Sequence, residues 1–121
     1  MIVCYDTDGA IVSWINGSDP SGFTPPQGCS VYQGFADGAE HWIDNGVRRD
    51  RQPIHPGITL GTGQVTFDNL PDPCEIRDGQ GNSVTATGGT ETITVDVPGT
   101  YQFTFVSRPQ HLDHVEEVAI P

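Results

Sequence analysis

The sequence predicts an all-β protein, in which N-terminal β-hairpins are packed with a small antiparallel β-sandwich. No segment shows the 3.6-residue apolar periodicity of a helix, and Gly and Pro, at 15 and 10 of 121 residues, interrupt nearly every stretch that could form one. Short runs of alternating apolar residues instead recur between turn sequences, as is typical of sandwiches. We expect residues 1–60 to form the hairpin region and residues 61–121 to form the sandwich module.

The first predicted element is a hairpin that opens the chain. Residues 2–5 and 10–15 are strand-like, and the DTDG sequence between them carries Asp and Gly where a tight turn requires them. A loop rich in Pro and Gly follows at residues 16–28, and it leads directly into a short predicted strand at residues 29–34.

A second hairpin is predicted around Asn45-Gly46, because both residues accept the positive φ angles that the tightest hairpin turns require. A type I′ turn there pairs the strands so that Trp42 lies opposite Arg49. Residues 51–61 contain two prolines, and we expect them to end this pairing and to connect the two halves.

Six further strands are predicted in the second half of the chain, within the runs QVTFDNL, PCEIRD, SVTATG, TETITVDV, TYQFTFVS and HVEEVAI. Alternation is clearest at residues 93–97 and 101–105. We expect Ile93, Val95 and Val97, and then the aromatic residues of the second range, to face the core while their polar neighbours face water.

One part of this half resembles a known type of module. Pro98, Gly99 and Tyr101 in DVPGTYQFTF resemble the penultimate-strand corner of immunoglobulin-like modules, where a Pro-Gly turn brings a Tyr onto the final strands. The resemblance implies an Ig-like sandwich over residues 61–121, and it implies nothing about function because one fold serves many functions.

The composition excludes several classes of partner. The chain has five Arg, no Lys and a formal net charge of -11, so it has little with which to neutralise phosphates or to bind an anionic membrane. We therefore expect no nucleic-acid and no membrane partner. The start MIVCYDTDG lacks the basic segment and apolar core of a signal peptide, which predicts synthesis in a cytoplasm.

No group of residues predicts catalysis or a cofactor. His111, His114, Glu116 and Glu117 form the one metal-like cluster, and we interpret it as a polar approach to the last strand. The serines lie in no nucleophile-elbow pattern, and no cysteine has a nearby histidine in the sequence. The sequence thus predicts a protein that is not an enzyme and that carries no cofactor and no metal.

Two further features have ordinary structural explanations. Asp6, Asp8 and Asp78 lie in turn sequences that resemble calcium loops only in spacing, and turn chemistry accounts for them. The three cysteines are an odd number, and we interpret them as small buried hydrophobes; a disulfide between Cys4 and Cys29 is the alternative.

The candidate contact surface is the second hairpin together with the Pro-rich loop. Arginine side chains can pair with carboxylates of a partner and stack on aromatic rings, and Trp is a frequent anchor of interfaces. The alternative is a solvated hairpin with local Arg–Asp pairs. The residues that we expect to contact a partner are Trp42, Arg48, Arg49, Arg51, Phe23, Pro25 and Pro26.

The layout of the chain resembles small virion proteins of tailed bacteriophages. The residues that carry the resemblance are His41, Trp42, Ile43, Asp44, Gly46, Arg51 and Pro53, with Pro98, Gly99 and Tyr101 downstream. The resemblance implies a structural component of the virion, in the baseplate or fibre region of the tail, made in the host cytoplasm. It also implies no catalysis, no cofactor, and several copies that contact other virion proteins.

Two other functions are compatible with the sequence. One is a capsid decoration protein, since a small β-module on a shell is equally plausible in physical terms. The other is a carbohydrate-binding module that uses Trp14, Tyr32 or Trp42 as an aromatic platform, with a host surface glycan as the partner.

Overall fold

The computed structural model describes residues 1–15 and 24–121 of the chain. These residues form twelve strands in four antiparallel sheets and include no helix, which confirms the predicted all-β class. It follows that none of the described residues belongs to a helix long and apolar enough to cross a membrane. Phe23, a predicted contact residue, lies outside the described residues, as do residues 16–23 of the loop predicted at residues 16–28.

The chain divides into two compact units. Unit 1 comprises Met1–Gln52 and Arg108–Leu112, and unit 2 comprises Pro53–Ser107 and Asp113–Pro121. The chain therefore passes between the units three times. The predicted division of the chain at residues 60 and 61 stays a prediction.

Unit 1 contains a three-stranded sheet and a separate hairpin. Its strands are β1 (Ile2–Tyr5), β2 (Ile11–Ile15), β3 (Ser30–Gln33), β4 (His41–Asp44) and β5 (Val47–Asp50). β1 is the central strand of the sheet and pairs with β2 on one side and β3 on the other, while β4 pairs only with β5 among the described strands. Both predicted N-terminal hairpins are thus confirmed. The core of this unit is small, with Val3, Ala36 and Ile43 buried at its centre.

The β4–β5 hairpin has the predicted register and turn. Asn45 and Gly46 have φ angles of 50° and 86°, as a type I′ turn requires. Trp42 pairs with Arg49 across the two strands, as the sequence predicted. The turn residues therefore determine which side chains lie side by side on this hairpin.

Unit 2 is a two-layer β-sandwich. Its strands are β6 (Gly57–Gly61), β7 (Gln64–Asp68), β8 (Cys74–Asp78), β9 (Ser83–Ala86), β10 (Glu91–Thr94), β11 (Gly99–Val106) and β12 (His114–Ile120). One sheet has the order β10-β7-β6 and the other has the order β12-β11-β8-β9. Phe67 of the first sheet packs edge-on against Phe103 and Phe105 of the second, with ring centroids 5.2 and 4.9 Å apart. Side chains of both sheets therefore share one core.

The prediction for residues 51–61 was wrong in part. These residues were expected only to connect the two halves, but Gly57–Gly61 forms strand β6 and pairs with β7. The two prolines precede this strand and so do not interrupt its hydrogen bonds. Gly63, with a φ of 68°, completes the short turn between the two strands.

The prediction that Val97, beyond the end of β10, faces the core was also wrong. Ile93 and Val95 pack against the core, but Val97 is 64% exposed because β10 ends at Thr94. The carbonyl of Val97 instead accepts a hydrogen bond of 2.5 Å from the Tyr101 hydroxyl. Tyr101 therefore fixes the turn that leads into β11, at the position where the sequence suggested such a corner.

The three cysteines are free. Cys4 and Cys74 are buried, as expected of small apolar side chains, and Cys29 is half-buried. Burial raises the pKa of the Cys74 thiol, which keeps it protonated and unreactive at neutral pH. The alternative of a Cys4–Cys29 disulfide is not realised.

Asp78 organises the turn between β8 and β9. Its carboxylate accepts hydrogen bonds from the backbone N–H groups of Gln80 (2.8 Å) and Asn82 (2.9 Å) and from the Asn82 side chain (3.0 Å). These bonds, that from the Asn82 side chain first, lower the pKa of Asp78. The hydrogen bonds of the turn therefore explain why an aspartate lies at this position, which resembles a calcium-binding loop in its spacing.

We predict that Asp78→Ala lowers the melting temperature at neutral pH and that this effect disappears in acid. Because the folded-state pKa is below the unfolded value, the carboxylate stabilises the fold above the unfolded pKa of about 3.9. That contribution is lost as the pH falls through the folded value. Thermal melts of both proteins from pH 7 to pH 2 check this, and a difference in melting temperature that is the same at pH 2 as at pH 7 would contradict it.

Candidate functional site

The β4–β5 hairpin carries the candidate contact residues, and it is fixed to the rest of unit 1. A two-stranded hairpin is only marginally stable by itself in water. In this one, Ile43 is 2% exposed and packs with Val3 and Ala36. The hairpin is therefore held by a buried side chain as well as by its own turn.

The edge of β4 that faces away from β5 also forms hydrogen bonds. Asp44 and Val47 flank the two-residue turn and exchange hydrogen bonds, so the N–H group of Ile43, one residue further on, points away from β5. It donates to the carbonyl oxygen of Gly9 at 2.9 Å, and the N–H of His41 donates to Asp37 at 2.7 Å. The free edge of the hairpin is consequently β5, whose side chains are all exposed.

Gly9 permits this close approach. Its φ of 91° lies in the left-handed region, and a Cβ atom there would overlap the carbonyl oxygen of Ile43 and lie 2.9 Å from the Trp42 ring. The turn that contains Gly9 is stabilised by Asp6, whose carboxylate accepts from the N–H groups of Asp8 and Ala10, both at 3.0 Å. The turn of the first hairpin is thus joined to strand β4 of the second hairpin, backbone to backbone.

Arg51 connects the end of the hairpin to two other segments of unit 1. Its guanidinium donates to the carbonyl oxygens of Gly38 (3.1 Å), Ala39 (3.3 Å) and His111 (2.7 Å). Gln52 adds two backbone bonds of 2.9 Å with the segment Arg108–Leu112. Arg51 was predicted as a contact residue, and the structure gives it a role within the fold.

A concavity of about 300 Å³ opens beside the hairpin, and two arginines line it. We call it the arginine concavity. Its size is at the lower end of ligand-binding pockets. Its lining residues are Trp42, Arg48, Arg49, Asp50, Gln52, Gln110 and His111.

The two arginines of this concavity keep hydrogen-bonding capacity for a partner. Arg49 uses its Nε to bind Asp44 Oδ2 at 2.6 Å, and its side chain is 56% exposed. Arg48 uses one terminal nitrogen to bind the Phe35 carbonyl at 2.9 Å. Since a guanidinium has five N–H donors, each arginine can also bind a carboxylate.

The structure brings three of the predicted contact residues together, whereas Arg51, Pro25 and Pro26 do not line the same concavity. Trp42, Arg48 and Arg49 line one concavity, although strand alternation places the two arginines on opposite faces. Pro25 is half-buried and Pro26 is exposed, and neither lines the concavity.

Four lining residues, Asp50, Gln52, Gln110 and His111, were not among the predicted contact residues. Gln52 was placed in the connecting segment, while Gln110 and His111 come from a segment about 60 positions further along the chain. His111 Nδ1 is buried and has no hydrogen-bond partner within the described part of the chain. No local sequence signal links these residues, because only the fold brings distant segments together.

A second concavity, of about 320 Å³, is also lined by Trp42 and is acidic. We call it the aspartate concavity. Its lining residues are Tyr5, Asp6, Thr7, Asp8, Gly9, Ser30, Trp42, Ile43, Asp44 and Asn45. Despite its three carboxylates, no three His, Cys, Asp or Glu side chains in residues 1–15 and 24–121 are arranged to hold a metal ion.

The proposed aromatic platform for carbohydrate is dispersed. Trp14 and Tyr32 flank Val3 in the three-stranded sheet, with Trp14 57% exposed, whereas Trp42 lies on the separate hairpin. Comparison of the whole chain with known proteins finds no family model, no curated protein and no solved structure that matches it. The function must therefore be argued from the geometry of the site and from the resemblance already described.

We predict that Gly9→Ala destabilises the protein by at least about 3 kcal/mol, because it combines a strained φ with a backbone overlap. Gly28→Ala is the matched control, since Gly28 has a φ of 82° but nothing within 4 Å of its added Cβ. We expect this control to cost about 1–2 kcal/mol. Urea denaturation of the three proteins checks the difference, and equal destabilisation by the two substitutions would show that the contact with Ile43 is not formed.

Proposed function

We propose that this protein is a structural component of a bacteriophage virion that docks onto an acidic segment of a neighbouring virion protein through the arginine concavity. The observation that carries the docking proposal is a concavity lined by Trp42 and by two arginines that keep N–H donors, on a hairpin fixed to the rest of unit 1. A surface of this kind binds without rearrangement, so little conformational entropy is lost on association.

The distribution of charge supports a docking role for this region. Four of the five arginines, Arg48, Arg49, Arg51 and Arg108, belong to unit 1, and Arg77 alone belongs to unit 2. In a chain of net charge -11, this places most of the positive charge in the unit that carries the arginine concavity. A carboxylate-bearing partner would be attracted there and repelled elsewhere, which gives orientation as well as affinity.

The chemistry of the concavity suits contact between side chains. β5 is an exposed edge strand, but three of its four residues, Arg48, Arg49 and Asp50, are charged. Charged edge strands disfavour the addition of a further strand. We therefore infer that the partner binds through carboxylates and through contact with the Trp42 ring, as interface anchors commonly do.

The place in the virion rests on the sequence resemblance. It favours the baseplate or fibre region of the tail over the capsid shell, and the same docking chemistry would serve a capsid decoration protein. Imaging of virions that carry a labelled copy of the chain distinguishes the two locations, because tail and shell are separately visible.

We predict that the double substitution Arg48→Glu/Arg49→Glu reduces incorporation of the chain into particles by about tenfold or more, because reversed charges repel an acidic partner. The measurement is quantitative mass spectrometry of virions purified from cells that express the variant as their sole copy. Wild-type virions must contain the chain for the proposal to stand at all.

The matched control is Arg77→Glu on β8 in unit 2, where an exposed arginine also pairs with a neighbouring carboxylate, that of Glu75. We expect this variant to be incorporated like the wild type. Normal incorporation of the double variant, with its fold verified by circular dichroism, would remove the arginine concavity as the docking site.

A further inference from the structure

The two concavities beside the hairpin have opposite charge and share one wall. Arg48 and Arg49 line one of them, Asp6, Asp8 and Asp44 line the other, and Trp42 contributes to both. All of these residues belong to unit 1. On the Trp42 face of the hairpin, Arg49 therefore marks a positive half and Asp8 marks a negative half, with Trp42 lining both concavities, while Arg48 lies on the opposite face.

A surface with this pattern is complementary to itself. When a two-fold axis passes near the centre of such a surface, the positive half of one copy faces the negative half of the other, and the reverse contact forms at the same time. A different partner would have to carry both a positive and a negative group at the matching separation. A second copy of the chain satisfies this condition without any further requirement.

We propose that a second copy of this chain docks on the hairpin face through a two-fold axis near Trp42, with Arg49 of each copy contacting Asp8 of the other. This inference rests on the proposed docking function and names one partner for it. It uses the arginine that lies opposite Trp42 on the hairpin and a carboxylate that is exposed.

Internal hydrogen bonds identify the carboxylate of this pair, and the register of the hairpin identifies the arginine. Asp6 accepts two backbone N–H groups, and Asp44 accepts from Arg49, so both carboxylates already have partners. The Asp8 carboxylate is exposed and binds no other described residue. Arg49 lies directly opposite Trp42 on the hairpin and, after binding Asp44, retains its terminal nitrogens.

The overall charge of the chain does not prevent this association. Two copies of net charge -11 repel each other at long range, but salt at physiological strength screens exposed charges beyond about 8 Å. Charges in direct contact are screened much less. The two ion pairs, with the Trp42 side chains between them, then lie where water is excluded and charge pairing is strongest.

The test is the mass of the full-length protein in solution, measured by sedimentation equilibrium at physiological ionic strength. We expect a wild-type dimer, and we expect Arg49→Glu and Asp8→Arg to raise the dimer dissociation constant by about tenfold or more each. An equimolar mixture of the two variants should recover the dimer. The mixed dimer has two contacts. In one contact the two substituted side chains face each other, and they have opposite charge. In the other contact the unchanged Asp8 faces the unchanged Arg49.

Matched controls separate local contact from total charge. Arg77→Glu and Asp96→Arg make the same changes in net charge at exposed positions of unit 2, and both should remain dimeric. Circular dichroism verifies that each variant is folded. If a charge-reversed variant does not fold, Arg49→Ala and Asp8→Ala replace the pair and should each weaken the dimer.

Three outcomes would overturn the proposal: a monomeric wild type, single variants that remain dimeric, or a mixture of variants that stays monomeric. None of them depends on incorporation into particles. A monomeric wild type that still enters virions through Arg48 and Arg49 would remove the dimer and leave the docking function intact. Absence of the chain from virions, together with a normal wild-type dimer, would remove the docking function and leave the dimer intact.

Discussion

The hydrogen bond from the Ile43 N–H to the Gly9 carbonyl is the interaction on which the candidate site depends. The β4–β5 hairpin has no further strand partner among the described residues, and an isolated hairpin is marginal in water. This bond uses the outward N–H that the register of the hairpin leaves unsatisfied. It also brings the Trp42 ring against the turn that contains Gly9, which creates the wall shared by the two concavities.

The two units reach stability in different ways. Unit 2 has a shared core of aromatic and aliphatic side chains between two sheets, with Phe67 at its centre. Unit 1 has a small buried core, and polar bonds supplement it: the Asp6 turn, the backbone bonds at Gly9 and Asp37, and the three bonds of Arg51.

Local chemistry determined what could be predicted from the sequence. Asn45 and Gly46 specified the turn, and the turn specified the Trp42–Arg49 pairing, so the hairpin was predictable in detail. Strand β6 was missed because the prolines before it were taken to end all pairing, and Val97 was misplaced because alternation does not reveal where a strand ends. The concavities were not predictable, since their walls join segments that are distant in the sequence.

The most direct test of this account is native-state hydrogen exchange at the Ile43 amide, followed by NMR. In a hairpin that is not fixed to the rest of the unit, this outward N–H would face water and exchange as fast as the turn amides of Asn45 and Gly46. The account predicts instead that Ile43 is protected to the same degree as the central-strand residue Val3. Rapid exchange at Ile43 in a folded protein would contradict it, because the hairpin and both concavities would then lack a fixed position.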